Sequence, residues 1–199
     1  MSPRYDEEWV ARLLDAEDRL GTTDPREFLA ASGLSERQAV VDFGCGPGFF
    51  TLPAATIVGP LGRVYAVDAE QKMLDLVGHR ATSNGHQNVH TVLSTGQGVP
   101  LADGIADFAI CVLVLHYPED LAGRVGIARE IARLVRPAGA LLIVNWTPQE
   151  GDDTGSRLSS EQMAAILRRA GFEPDAPRPR GESQYAMTAR RIPPLSTPG

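Results

Sequence analysis

Cysteine is nearly missing from this chain. Its two thiols, Cys45 and Cys111, lie far apart, and neither belongs to a cluster spaced with histidines, which excludes a disulfide framework and a structural zinc site and leaves no metal to expect. No apolar run reaches the roughly 18 to 20 residues of a membrane span. The start, MSPRYDEEW, is too acidic for a signal peptide, so a cytoplasmic protein is expected. Excess positive charge is lacking too: the formal net charge is −6, which argues against a nucleic-acid surface as the main partner. Lysine occurs once, at Lys72, beside 18 arginines spread along the chain, a pattern of coding bias rather than of a binding patch. Internal repeats and low-complexity linkers are absent as well. With 199 residues and 43% apolar content the chain buries one substantial core, which fits a single domain.

What the chain does have is alternation. Trp9, Val10, Leu13, Leu14 and Leu20 fall at helical spacing, and Asp24-Pro25-Arg26-Glu27 opens a second short helix with a cap, a proline at its first position and an acid after it. After Gly33 come short apolar strands, AVVDF, RVYAVD, NVHTVL, DFAICVLVL and GALLIVNW, separated by amphipathic segments. Residues 70–83 read as a helix stopped by Asn84-Gly85, and residues 119–136 carry Leu121, Val125, Ala128 and Ile131 along one face and stop before Pro137. Ser159 and Gln162 form a capping-box pattern ahead of Met163, Ile166 and Leu167, with Gly171 as the stop. Near-continuous apolar strands between such helices imply a parallel sheet covered on both faces; right-handed crossovers make this a three-layer, doubly wound α/β fold. Ligands in such a fold sit at the carboxyl ends of the strands. FEPDAPRPR and SQYAMTARR read as the arms of an antiparallel hairpin at the sheet edge, and IPPLSTPG as a tail without fixed structure.

The segment VVDFGCGPGFF joins the first strand to a helix, and Gly44, Gly46 and Gly48 there expose backbone amides and leave room for a flat or bulky ligand. A dinucleotide site uses similar physics but spaces its glycines G-x-G-x-x-G, with helix amides aimed at a pyrophosphate. Here the spacing is one residue shorter, and Asp42 stands two positions ahead of the first glycine. An acid there repels a pyrophosphate and suits a cation, an amino-acid ammonium or a sulfonium. Asp68 ends the second strand, where a carboxylate accepts hydrogen bonds from both hydroxyls of a ribose.

These residues resemble the class I S-adenosylmethionine-dependent methyltransferases, especially the ubiquinone/menaquinone-biosynthesis-like group. VVDFGCGPGFF is similar to that family's first motif, AVDAEQKML to its second-strand motif and RLVRPAGALLIV to its fifth-strand motif, and the likeness runs from about residue 24 to 190. The resemblance implies a seven-stranded sheet in the order 3-2-1-4-5-7-6 with strand 7 antiparallel. It also implies S-adenosylmethionine as cofactor and S-adenosylhomocysteine as product. Asp42, Gly44, Cys45, Gly46 and Gly48 are then expected to hold the methionine part, Asp68 the ribose and Ala69 a face of the adenine. The family often has an Asp after strand 3 for the adenine amino group; this chain reads STGQGVP, so Thr95, Gly96 and Gln97 take that place. Cys111, inside an apolar strand, reads first as a core residue and is counted with the cofactor-binding set. Pro137-Ala138-Gly139 stands where the family usually has Pro-Gly-Gly, a change that a turn accommodates if the backbone angle at Ala138 is negative.

A sulfonium already activates its methyl group, so the expected task of the protein is to hold nucleophile, carbon and sulfur in line and exclude water. His116, just past a strand end on the ligand side, is the candidate general base, against the alternative of a histidine that only hydrogen-bonds the backbone. Tyr5 and Trp9 are candidate lid residues, and Tyr117, Asn145 and Trp146 candidate acceptor-side residues. No N-P-P-Y-like run and no trio of cysteines suited to arsenic occurs, so the expected partner is a small-molecule acceptor, with the chain a monomer or homodimer. The expected organisation is a helical lid segment at 1–34, a cofactor-binding methyltransferase domain at 35–191 and a tail at 192–199. Two alternatives stand beside the enzyme: a weakly active or inactive cofactor-binding partner subunit, and a nicotinamide-dependent oxidoreductase, which the glycine spacing disfavours.

Overall fold

The computed structural model describes residues 24–95, 98–118, 120–149 and 157–193. The helix expected over residues 6–20, with Tyr5 and Trp9, and the tail from residue 194 lie outside the described residues. The first described helix, α1 (Pro25–Ala31), starts as its residues dictate: the Asp24 carboxylate accepts from the Arg26 amide at 2.8 Å, and Pro25 needs no partner for an amide it lacks. This helix is built into the core, with Leu29 fully buried and Phe28 tilted against Phe50.

Strands and helices then take turns: β1 (Ala39–Phe43), α2 (Thr51–Val58), β2 (Arg63–Asp68), α3 (Gln71–Ser83), β3 (Val89–Leu93), β4 (Ala106–Val112), α4 (Leu121–Leu134), β5 (Val135–Trp146) and α5 (Ser160–Arg169). Three short elements close the chain, β6 (Phe172–Pro174), β7 (Arg178–Arg180) and β8 (Gln184–Arg191). The sheet runs β3-β2-β1-β4-β5-β8-β6, with β1 to β5 parallel and β8 antiparallel to its neighbours. That is the order the resemblance implied, with one addition. The first arm of the terminal hairpin is split into β6 and β7, both paired to β8, so the sheet has eight strands. Prolines at 174, 177 and 179 remove ladder donors along that arm, which confines it to short pieces at the edge.

Alternating side chains sort the core into two layers. Val41, Phe43, Cys111, Leu141 and Ile143 face α4 and α5, while Val40, Phe108, Ile110, Leu142 and Val144 face α1 and α2. Ser159 and Gln162 close the capping box of α5 in both directions. The turn into β5 departs from expectation. The strand starts at Val135 rather than at Gly139, bulges between its pairings Ala106↔Val135 and Phe108↔Ala140, and holds Ala138 at φ 64. The angle at Ala138 is positive, so the condition under which a turn accommodates this replacement is not met and the residue carries backbone strain. Among the described residues no helix is long and apolar enough to cross a membrane.

Candidate active site at the carboxyl edge of the sheet

The register aligns the carboxyl ends of the parallel strands. Phe43 pairs with Val67 on one side and Cys111 on the other, and Cys111 pairs with Ile143. Asp68, the glycine turn, Thr95, His116, Tyr117 and Asn145 all lie at or just beyond that row, as a doubly wound sheet requires of a ligand site.

The three glycines of the turn do different things. A Cβ on Gly44 would lie 2.3 Å from the Val114 side chain and one on Gly48 2.4 Å from Val77, so these two are bare for packing. A Cβ on Gly46 would meet nothing within 4 Å; this position alone of the three opens on free space. The contact of Gly44 with Val114 presses the turn against the segment that leads to His116.

The turn does not present its amides to a ligand, contrary to the sequence expectation. Gly44 and Cys45 both donate to the Val67 carbonyl (2.8 and 2.9 Å), Gly46 donates to Asp68 Oδ2 (2.8 Å) and Gly48 to the Cys45 carbonyl (3.0 Å). The amides are consumed by the strand next door and by the turn itself, which removes the cradle a pyrophosphate needs. Asp68 therefore has a second task that local sequence did not reveal. Its Oδ2 holds Gly46 and its Oδ1 accepts from Glu70 N at 3.0 Å, and a carboxylate with about four acceptor positions still has room for hydroxyl donors.

Asp42 is only 3% exposed, and its Oδ2 accepts from the Thr51 hydroxyl at 2.5 Å. Burial raises its carboxyl to about 7, with the Thr51 hydrogen bond pulling down and the Asp68 charge pushing up. Thr51, fully buried at the first turn of α2, escaped the sequence reading; its place one turn beyond the last glycine was the available signal.

Cys45 is buried with Ala66, Leu74 and Val77, and Cys111 is fully buried on the α4 and α5 face, so both side chains belong to the core in this structure. Burial pushes both thiols up, away from the reactive thiolate. Ala69 is exposed between β2 and α3. Thr95 exchanges backbone hydrogen bonds with Gly98 (3.1 and 2.9 Å); Gly96 and Gln97, between them, lie outside the described residues.

On the side expected to take the acceptor, Leu113 leaves β4 at φ 55, a strained angle for a bulky residue. The turn that follows brings the His116 and Tyr117 rings to 4.1 Å between centroids. His116 Nδ1 is buried without a hydrogen bond, and burial, then the charge of Arg124, lower its proton affinity, which favours the neutral ring. Asn145, 1% exposed, has neither amide atom hydrogen-bonded. It lies beside Tyr185, whose hydroxyl donates to the Leu158 carbonyl at 3.0 Å and is pushed up to about 12 by burial, with the nearby Asn145 amide pulling down; the contact with Asn145 falls short of hydrogen-bond geometry. Tyr117 is 59% exposed, and Trp146 lies on the opposite face from Asn145 with the Arg157 guanidinium over its ring at 5.5 Å. A separate concavity of about 730 Å³, lined by Arg63, His86, Asn88 and His90 among others, lies at the amino ends of β2 and β3, away from all these groups.

Comparison with known proteins adds to this geometry. A family model described as a methyltransferase domain matches residues 41–143. The chain is 29% identical over 193 residues to an arsenite methyltransferase of Halobacterium salinarum, covering 90% of this chain and 48% of that protein. It is 26% identical over 117 residues to the ubiquinone/menaquinone biosynthesis C-methyltransferase UbiE of Hahella chejuensis, covering 58% of this chain and 46% of that protein. The chain thus spans about half the length of these two curated relatives. Among solved structures, a SAM-dependent methyltransferase from Aquifex aeolicus superposes with a TM-score of 0.83 at 26% identity, covering 94% of this chain and 100% of that one. The [4+2]-cyclase SpnF, at 20% identity and a TM-score of 0.71 over 84% of this chain and 79% of its own, shares the fold alone.

Proposed function

The chain belongs to the methyltransferase-domain family, and on that premise we propose that it is an S-adenosylmethionine-dependent methyltransferase acting on a small-molecule acceptor. The observation that carries this reading is the glycine turn. Its amides are spent inside the protein, a buried acid stands behind it, and Gly46 opens on space, so the site favours a cationic nucleoside over a phosphate-bridged one.

When bound, S-adenosylmethionine supplies a methyl carbon made electrophilic by its sulfonium sulfur. The residues of this chain do the rest. Asp42 offers a carboxylate to the ammonium of the methionine part, Asp68 accepts from the ribose hydroxyls while it anchors Gly46, and Ala69 and Thr95 flank the adenine. His116, neutral and with an unsatisfied Nδ1, takes a proton from the acceptor as the nucleophile forms. Asn145 and Tyr117 border the acceptor side. Arsenite is a poor candidate acceptor here, since the two cysteines of this chain are buried on different elements with their thiols held protonated. A small organic hydroxyl, phenol or activated carbon fits a histidine base better.

The test is calorimetric titration of the purified chain with S-adenosylmethionine and with a nicotinamide dinucleotide, followed by mass-spectrometric detection of methylated products in a panel of phenols and quinols. Binding of the first ligand and not of the second is expected. Failure to bind S-adenosylmethionine at millimolar concentration rejects the reading, and binding with no transfer to any acceptor favours the inactive partner subunit.

A further inference from the structure

We propose that Thr51 is a positioning residue for the cofactor: its hydroxyl fixes which oxygen of Asp42 meets the ammonium, and ligand binding draws a proton off that carboxyl. The inference rests on the cofactor reading above and adds to it a residue and a proton. Thr51 is fully buried and Asp42 nearly so, and the 2.5 Å between Thr51 Oγ1 and Asp42 Oδ2 lies at the short end for a hydroxyl bound to a carboxylate. A carboxyl group held by one oxygen can no longer rotate freely, so Oδ1 becomes the oxygen available to an incoming donor. Thr51 sits at the first turn of α2, immediately after the glycine turn, so the same backbone that shapes the open space at Gly46 sets the hydroxyl.

The proton follows from the surroundings. Among the described residues, the titratable groups that act on Asp42 or respond to it are Asp68 at the end of β2, Cys45 in the turn and Cys111 on β4. Asp68 disfavours a second negative charge, and both thiols are held neutral. Burial opposes the charged form of Asp42 and the hydroxyl favours it, which poises the group at about 7. An arriving ammonium tips the balance: the Asp42 O–H bond breaks, the proton passes to solvent, and the carboxylate pairs with the cation. Only the ionised fraction of the free protein binds without that step, so affinity falls about tenfold for each pH unit below the midpoint. Thr51→Val keeps the shape of the side chain and removes the donor, which moves the midpoint up by about one pH unit; Thr51→Ser retains it.

The experiment combines carbon-13 NMR of the aspartate carboxyls in the ligand-free protein with calorimetry of S-adenosylhomocysteine binding across the neutral range. Two buffers of different ionisation enthalpy count the protons, and wild type, Thr51→Val and Thr51→Ser are compared. The expected result is an Asp42 midpoint near neutrality in wild type and Thr51→Ser, a higher one in Thr51→Val, and proton release on binding below the midpoint. Equal midpoints in all three proteins, or binding without proton release, overturn the role of Thr51 while the cofactor reading survives. Failure of every protein, wild type included, to bind S-adenosylhomocysteine defeats the cofactor reading itself.

Discussion

Arg133, beside the amino ends of β4 and β5, spends every donor it has. It gives hydrogen bonds to both oxygens of Glu130, to Asp103 Oδ1 and to the Val99 and Leu101 carbonyls, all between 2.6 and 2.9 Å. Asp107 nearby pairs with Arg136 at 2.7 Å and accepts from the Ala39 amide at 2.7 Å. At the carboxyl ends the polar groups are treated otherwise. His116 Nδ1, both amide atoms of Asn145 and Arg178 Nε are the buried side-chain polar atoms left without a partner among the described residues; Arg178 lies on β7 at the side of the sheet, packed on Phe28 and Ser32, and the first three belong to the carboxyl edge. The strained Leu113 and the buried carboxyl of Asp42 sit there too. Buried polar groups are normally paired, and exceptions gathered at this edge support the ligand site proposed there. One end of the sheet holds the fold together, and the other, on the proposed reading, is finished by what it binds.

The contrast breaks most readily at Asp42. Asp42→Asn is expected to weaken cofactor binding by about 100-fold, some 2.7 kcal/mol, the loss of a charge-assisted hydrogen bond. The same change is expected to stabilise the ligand-free protein above neutrality. The sign follows from the raised carboxyl: the native state holds a proton between the ordinary value of 3.8 and about 7 that the unfolded chain has released. Stability of the free protein therefore falls as pH rises through that window, and the Asn variant lacks the slope. Urea unfolding at acidic and alkaline pH checks it; equal slopes in both proteins contradict the buried carboxyl.

His116→Ala is expected to slow turnover by about 100-fold with cofactor affinity unchanged. Because burial lowers the proton affinity of this ring, the acid limb of the rate profile is expected below the ordinary histidine value of 6.5. A rate equal to wild type leaves positioning as the whole mechanism. At the other end of the sheet, Arg133→Ala is expected to destabilise the fold by about 2 kcal/mol, with its partly exposed ion pairs counting for little and its carbonyl contacts for most, and to leave cofactor affinity alone. A loss of affinity larger than the loss of stability would erase the distinction between the ends. The smallest effect belongs to Ala138→Gly, which relieves a positive φ and is expected to raise stability by about 1 kcal/mol in thermal unfolding.

Much of the architecture was legible because it is written locally. The cap at Asp24, the box at Ser159 and Gln162, the left-handed Gly85 and the strands AVVDF and RVYAVD need only a few neighbouring residues, and each stands where the pattern placed it. The strand order came from the resemblance to a family rather than from periodicity. What escaped depends on partners from other parts of the chain. No local pattern tells that the Gly44 and Cys45 amides are taken by Val67, that Asp68 reaches back to Gly46, or that Gly48 is bare because Val77 fills its place. The same holds for Thr51, whose importance appears only once the Asp42 carboxyl is seen buried against it. The positive angle at Ala138 accompanies the bulge against β4, which the turn sequence alone does not reveal.

The most direct measurement is a crystal structure of the chain with S-adenosylhomocysteine. The ligand is expected along the carboxyl edge, its ammonium within hydrogen-bond distance of Asp42 and its ribose hydroxyls on Asp68. A ligand found in the concavity at the amino ends of β2 and β3, or one whose charged end turns away from Asp42, contradicts the account.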